Sequence, residues 1–169
     1  MWSIRPETPQ DFAAVRIVHE RAFAPSREEA DLVDALRASG AQVPELCLVA
    51  LHGGSVVGHI AFSRAQLDSG HPVLAFAPMG VVPEQQRCGA GSALVTEALL
   101  CAARTDFPLV VVVGHAEYYP RFGFEPADAL GLRAPFPVPS ESWVAHRLPA
   151  YRHHVRGTVI YPDAFAGLT

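Results

Sequence analysis

Along the first forty residues the apolar positions recur at helical spacing. Phe12, Val15, Ala22 and Phe23 form a stripe near period 3.6, with Arg16, Glu20 and Arg21 at polar positions, which predicts an amphipathic helix. Thr8 is suited to cap it and Pro9 to open its first turn. A second helix should follow Pro25: Ser26-Arg27-Glu28-Glu29 reads as a capping box, Ala30, Val33 and Leu36 as its apolar face, and Gly40 as its stop. Trp2 to Arg5, ahead of both, reads as a strand.

The pattern then changes period. Glu45 to Leu51 and Ser55 to Ala65 are rich in apolar and β-branched residues, and His52-Gly53-Gly54 between them supplies positive φ for a tight antiparallel hairpin. After turn chemistry at Asp68 to Pro72, Val73 to Val82 resumes as a strand interrupted by Pro78. Proline has no N–H for a ladder, so a neighbour should be missing or distorted there. Gly89 to Arg104 reads as a helix with Leu94, Ala98 and Cys101 on one face, and Leu109 to Val113 as a short buried strand. Beyond Tyr118 come a short helical turn, a proline-rich excursion through residues 134–139, and two strand candidates, Ser142 to Leu148 and Gly157 to Tyr161.

Composition narrows the class. The 169 residues, 50% apolar and 18% charged, suit a single domain over residues 1–169 with one core. Arg5, Glu7, Asp11 and Arg16 break any apolar leader, and the longest aliphatic run, Leu109 to Val113, is far short of the ~20 residues of a membrane-spanning helix. A cytoplasmic location and no membrane partner are the expectation. Cys47, Cys88 and Cys101 have no C-x-x-C spacing and read as reduced thiols, and the eight histidines form no helical ligand pair. No metal is expected.

Seventeen acids face thirteen basic residues, all arginine, for a net charge of −4. That argues against a nucleic-acid partner, which needs a basic face, and is compatible with a cationic amine. The absence of lysine also excludes a Walker A nucleotide hydrolase.

The chemistry concentrates where the strand ending at Val82 meets the helix opening at Gly89. Backbone N–H groups and the positive end of the helix dipole converge there, which suits a phosphate, and Gly89 and Gly91 let it approach the main chain. No third glycine completes a dinucleotide fingerprint. Gln86-x-x-Gly89-x-Gly91, with Ala77 to Glu84 before it and Ser92-Ala93-Leu94-Val95 after it, resembles the Q/R-x-x-G-x-G/A signature of the GNAT superfamily of N-acetyltransferases. Val110 to Gly114, Tyr118-Tyr119-Pro120-Arg121-Phe122-Gly123-Phe124 and residues 132–139 resemble its YhbS-like branch in particular.

The resemblance implies an α/β (α+β) fold: a twisted mixed sheet of about seven strands splayed between the fourth and fifth, with helices on both faces. It implies acetyl-CoA as cosubstrate in that splay. The main chain of Met79, Gly80 and Val81 would pair with the pantetheine arm, and Gln86, Arg87, Cys88, Gly89, Ala90, Gly91 and Ser92 would form the pyrophosphate loop. Tyr119, four residues before Gly123, occupies the place of the tyrosine that protonates the leaving thiolate, while Tyr118 is expected to point elsewhere.

The acceptor implied is a small-molecule or peptide amine. For the general base Glu29, His115, Glu117 and water stay open, because His115-Ala116 stands where relatives often have Asp-Pro. That departure motivates an alternative, a non-catalytic acyl-CoA-binding module of the same fold. The two late strands leave room for a homodimer paired across them.

Overall fold

The computed structural model describes residues 2–167. Strands β1 (Ser3–Pro6), β2 (Leu48–His52), β3 (Ser55–Leu67), β4 (Pro72–Val81), β5 (Leu109–Val113), β6 (Glu125–Pro126), β7 (Leu132–Arg133), β8 (Trp143–Arg147) and β9 (Gly157–Ile160) form one mixed sheet. Its main path runs β1-β2-β3-β4-β5-β8-β6, with β9 pairing β3 and β7. The β4–β5 and β7–β9 pairs are parallel; the other pairs are antiparallel. The sheet exceeds the expected seven strands because β6 and β7 are two-residue pairings, too short to leave any periodicity in the sequence.

The predicted hairpin is present, with Gly53 and Gly54 at φ 58° and 83°. Both late strands already have neighbours within the chain on each side: β8 lies between β5 and β6, and β9 between β3 and β7. These pairings cover Val144 and Ala145 on the β6 edge of β8, and Gly157–Thr158 and Val159–Ile160 on the β7 and β3 edges of β9, so the late strands are paired within the chain over part of their length.

Helix α3 (Ala90–Ala102) buries Leu94, Val95, Ala98 and Ala102 against one face of the sheet, meeting Leu48, Ile60, Phe62, Leu74 and Val110. Each such large side chain contributes on the order of 1.5–3 kcal/mol of burial. The other face is covered by α1 (Phe12–Ala22) and α2 (Glu28–Ser39) at one end and by the chain after β5 at the other, where Trp143 and Leu132 pack on Val73, Ala75 and Val111.

Two local expectations shift. Phe12 does not join the buried stripe: it is 38% exposed beneath the Arg37 guanidinium, 3.8 Å from its ring centre, while Val15, Val18 and His19 face inward. Pro9 to Asp11 forms a 3₁₀ turn before α1, in which the Thr8 N–H donates to Asp11 Oδ2 at 2.7 Å. At α2 the capping box opens out. The Glu28 N–H donates to Ser26 Oγ at 3.2 Å, and that hydroxyl donates to Glu29 Oε1 at 3.2 Å, so Ser26 sits one position outside the helix cap at Arg27.

A buried polar chain fastens α1 and α2 to the sheet. Arg37 on α2 lies 2.7 Å from Glu7 Oε2, His59 Nε2 on β3 lies 3.0 Å from the same oxygen, and His59 Nδ1 is 2.9 Å from His19 Nε2 on α1. Both imidazoles are fully buried. Burial pushes the His59 pKa down despite the nearby Glu7 carboxylate. Burial, then the neighbouring His59 and Arg37, pushes His19 down to about 3.

Both rings are therefore neutral at pH 7, whereas in the unfolded chain they protonate near 6.5. Below that value the unfolded state binds more protons, so folding stability should fall as pH drops from 6.5, by up to ~1.4 kcal/mol per pH unit for each histidine. Urea titrations between pH 7 and 5 should show this slope, and His19→Gln should reduce it by about half, leaving the His59 contribution. An unchanged midpoint across that range in the unmodified protein would contradict it.

Candidate active site

The β4–β5 ladder is confined to Leu74↔Val110 and Ala75↔Val111. Beyond it the strands part. On the other side of β4 the register with β3 shifts between Ile60 and Phe62, opposite Ala77-Pro78, then resumes through Ile60↔Met79, His59↔Gly80 and Gly58↔Val81. From Phe76 onward, then, β4 is bonded on its β3 edge and open on its β5 edge. Pro78, which has no N–H to give a ladder, falls in that register shift, where β3 and β4 are out of step.

The gap is a cleft of about 630 Å³. Phe76, Ala77, Pro78 and Met79 line it from β4; Val112, Val113, Gly114 and His115 from the end of β5; Gln86, Tyr118 and Tyr119 toward α3; and Phe23, Glu29 and Leu32 from the α1–α2 side. Of the three base candidates, Glu29 and His115 reach the cleft lining and Glu117 does not.

At the α3 end the loop is shaped for an anion. Arg87 stands at φ 61° and Gly89 at φ 102°, and the helix has no side-chain cap. The first turn's N–H groups, at Ala90, Gly91 and Ser92, have no carbonyl one turn earlier to bond; the ladder begins with the Ala93 N–H donating to Gly89 O at 2.9 Å. Three unpaired donors at the positive end of a thirteen-residue helix are an arrangement that can hold a phosphate.

Gln86 spends its side chain differently from a ligand contact: its Nε2 donates to Val81 O at 2.8 Å and ties the loop back to β4. Arg87 and Cys88 are exposed, and Trp2 packs under Gly89, 3.3 Å from where a Cβ would sit.

The two tyrosines divide the cleft between them. Tyr119 is only 8% exposed and packs edge-on against Phe76 and Phe124, with centroids 5.6 and 5.4 Å away. Its ring lies so close to Gly114 that an added Cβ would stand 3.0 Å from Cδ2 and 3.1 Å from Cζ. Burial pushes its pKa up to about 12, so the phenol keeps its proton throughout the neutral range. Tyr118 does not point away. Its hydroxyl is 3.3 Å from Ser92 Oγ in the first turn of α3, and Arg121 lies 4.8 Å above its ring. The adjacent tyrosines diverge because each packs on a different neighbour, Phe122 for Tyr118 and Phe124 for Tyr119.

Beneath β4, Gly80 lies against the histidine pair: a Cβ there would stand 2.8 Å from His19 Nδ1 and 3.3 Å from the Ala22 Cβ. With Glu7 ionised, protons belong on Nε2 of both rings, which leaves His19 Nδ1 a bare acceptor without a hydrogen-bond partner. Sequence reading missed this pair. The signal was the helical spacing of Val15, Val18, His19 and Ala22, which puts the imidazole on the inward face.

The chain that forms this cleft is similar to known proteins in sequence and in fold. Residues 44–126 match the acetyltransferase (GNAT) domain model. Over 170 residues the chain is 38% identical to the uncharacterized N-acetyltransferase YjhQ of Escherichia coli K12, covering 94% of this chain and 92% of that protein. The chain belongs to the GNAT acetyltransferase family. Among solved GNAT structures, YhbS from Escherichia coli in complex with CoA superimposes with a TM-score of 0.91 at 30% identity, covering 99% of this chain and 93% of YhbS. A GNAT acetyltransferase from Brucella melitensis in complex with acetyl-CoA gives 0.80 at 32% identity, covering 98% of each chain.

The GNAT fold of this chain thus has the β4–β5 splay and helices on both faces. Among the described residues no group of three His, Cys, Asp or Glu side chains is arranged to hold a metal ion, and no helix is long and apolar enough to cross a membrane.

Gly80→Ala tests how tightly β4 is held on its α1 side. The added methyl should displace His19 and cost about 1–3 kcal/mol, as overpacking of a close-packed interior does, read as a lowered urea midpoint. A midpoint equal to that of the unmodified protein would mean the ring yields freely.

Proposed function

We propose that this protein, as one domain, transfers an acetyl group from acetyl-CoA directly to a primary amine. The observation that carries the reading is the open edge of β4 leading to the unpaired N–H groups of α3. An extended chain with amide groups can add to the free edge at Met79, Gly80 and Val81 as a further strand would, and its diphosphate would then meet the N–H groups between Arg87 and Ser92. A pantetheine arm ending in a pyrophosphate has this form. The solved relatives from Escherichia coli and Brucella melitensis, in complex with CoA and acetyl-CoA, support it.

Acetyl-CoA supplies an activated thioester; the remaining steps fall to the chain. A backbone N–H near Val81 stabilises the oxygen that gains charge when the amine adds to the carbonyl. Tyr119, protonated and lining the cleft, gives its proton to the departing thiolate. Gln86 holds the loop in register, so its contribution to cofactor binding is by position. The three unpaired cysteines and the dependence on acetyl-CoA support a cytoplasmic setting.

Two substitutions separate the tyrosines. Tyr119→Phe should lower kcat by ~10²–10⁴-fold with little change in the CoA dissociation constant. Tyr118→Phe should instead raise KM for acetyl-CoA several-fold, about the loss of one hydrogen bond beside the cradle, with kcat nearly kept. Thiol release with a working acceptor gives the rates and calorimetry gives the affinity. Full kcat in Tyr119→Phe from pH 6 to 9, about the range over which an ordinary phenol stays protonated, would remove it as the acid.

A further inference from the structure

The α1–α2 side of the cleft has a chemistry of its own. Phe23 and Leu32 form an apolar wall facing Pro78 and Val113, and Glu29 is the only acid among the lining residues, which include no arginine. Val113 is 43% exposed where the strands part, an apolar surface left for a ligand to cover.

Glu29 is also held ready. The Glu28 N–H donates to Ser26 Oγ, and that hydroxyl donates to Glu29 Oε1, each at 3.2 Å. Elsewhere on the helix pair Arg16 pairs with Glu20, Asp31 and Asp34 at 3.3, 3.0 and 2.7 Å, and Glu28, the other carboxylate without an ion pair among the described residues, is exposed to solvent and does not line the cleft. Glu29, half-buried at the cleft, forms no ion pair among the described residues, and its Oε2 has no partner there. An oriented carboxylate without a counter-charge, set in an apolar wall, selects a cation with a hydrophobic body.

We propose that this wall is the acceptor subsite and that it takes a primary ammonium carried on an apolar body without a carboxylate, the ammonium resting on Glu29. The proposal rests on the acetyl-transfer reading for its chemistry. The ammonium releases a proton to solvent at the cleft mouth, and the freed nitrogen lone pair bonds the acetyl carbon. The carbon–sulfur bond then breaks with its electron pair on sulfur, which takes the Tyr119 proton, and the second proton of the attacking nitrogen returns to the Tyr119 phenolate through solvent; the products are an N-acetylamine and CoA thiol, with one proton released. A carboxylate beside the amine would bring a second negative charge against Glu29 with no arginine to receive it.

The test compares three acceptors with one body: phenethylamine, phenylalaninamide and phenylalanine. Each is titrated into CoA-loaded protein by calorimetry and assayed with acetyl-CoA. Phenethylamine and phenylalaninamide should bind at least about tenfold tighter than phenylalanine, and Glu29→Gln should weaken phenethylamine by about tenfold, the loss of a charge-assisted bond, with CoA affinity unchanged. In turnover the same change should appear in KM, with kcat little altered. Equal binding of phenylalanine, no measurable binding of phenethylamine, or an unaffected Glu29→Gln would overturn the subsite. Glu29-dependent amine binding without thiol release from acetyl-CoA would uphold the subsite and sink the acetyl-transfer reading instead.

Discussion

Two parallel strands that pair for only two residues and then diverge govern the rest of this molecule. A parallel pair in a buried sheet normally satisfies its backbone groups along its whole length. Here β4 and β5 do so only at Leu74↔Val110 and Ala75↔Val111. The divergence has an internal cause in the register shift of β3 against β4, opposite Ala77-Pro78. It creates an open edge that an extended ligand can complete and a cleft reached from both faces of the sheet.

Holding such a gap open requires rigid walls, and the chain supplies them by different means. On the α3 side the wall is apolar, with Leu94, Val95 and Ala98 fully buried on the sheet. Gln86 adds a single hydrogen bond that keeps the loop at the angle the helix start needs. On the α1–α2 side the wall is fixed by the polar chain Arg37–Glu7–His59–His19. Buried polar groups impose one geometry, since any other arrangement leaves a charge or a donor unpaired at a cost of a few kcal/mol. Gly80 belongs to this wall: without a side chain it lets the His19 ring approach β4 closely.

The aromatic floor of the cleft shows how neighbours in sequence acquire different surroundings. Tyr119 is wedged between Phe76 and Phe124 over the bare Cα of Gly114, which raises its pKa by desolvation and keeps it a proton donor. Tyr118, one residue earlier on the same turn, swings to the helix start and reaches Ser92. A 3₁₀ turn at Tyr119–Phe122 places consecutive side chains about 120° apart, so one lies toward the core and the other toward the cradle.

Features written within a few consecutive residues were legible from the chain alone. The glycine-bearing turn into α3 from Gln86 to Ser92, the Gly53-Gly54 hairpin, the Gly40 helix stop and the break at Pro78 each depend on local backbone preferences and contiguous chemistry. The fold itself was legible through the resemblance of Gln86-x-x-Gly89-x-Gly91 and its flanking segments to the GNAT signature. What tertiary structure alone decided depends on residues far apart in sequence: the pairing of His19 with His59, the exposure of Phe12 under Arg37, the turn of Tyr118 toward Ser92, and the internal pairing of β8 and β9. That Glu29 and His115 line the cleft while Glu117 does not is of the same kind. Each was settled by where the sheet brings distant backbone together, and periodicity can say that a side chain faces inward but not what it will meet there.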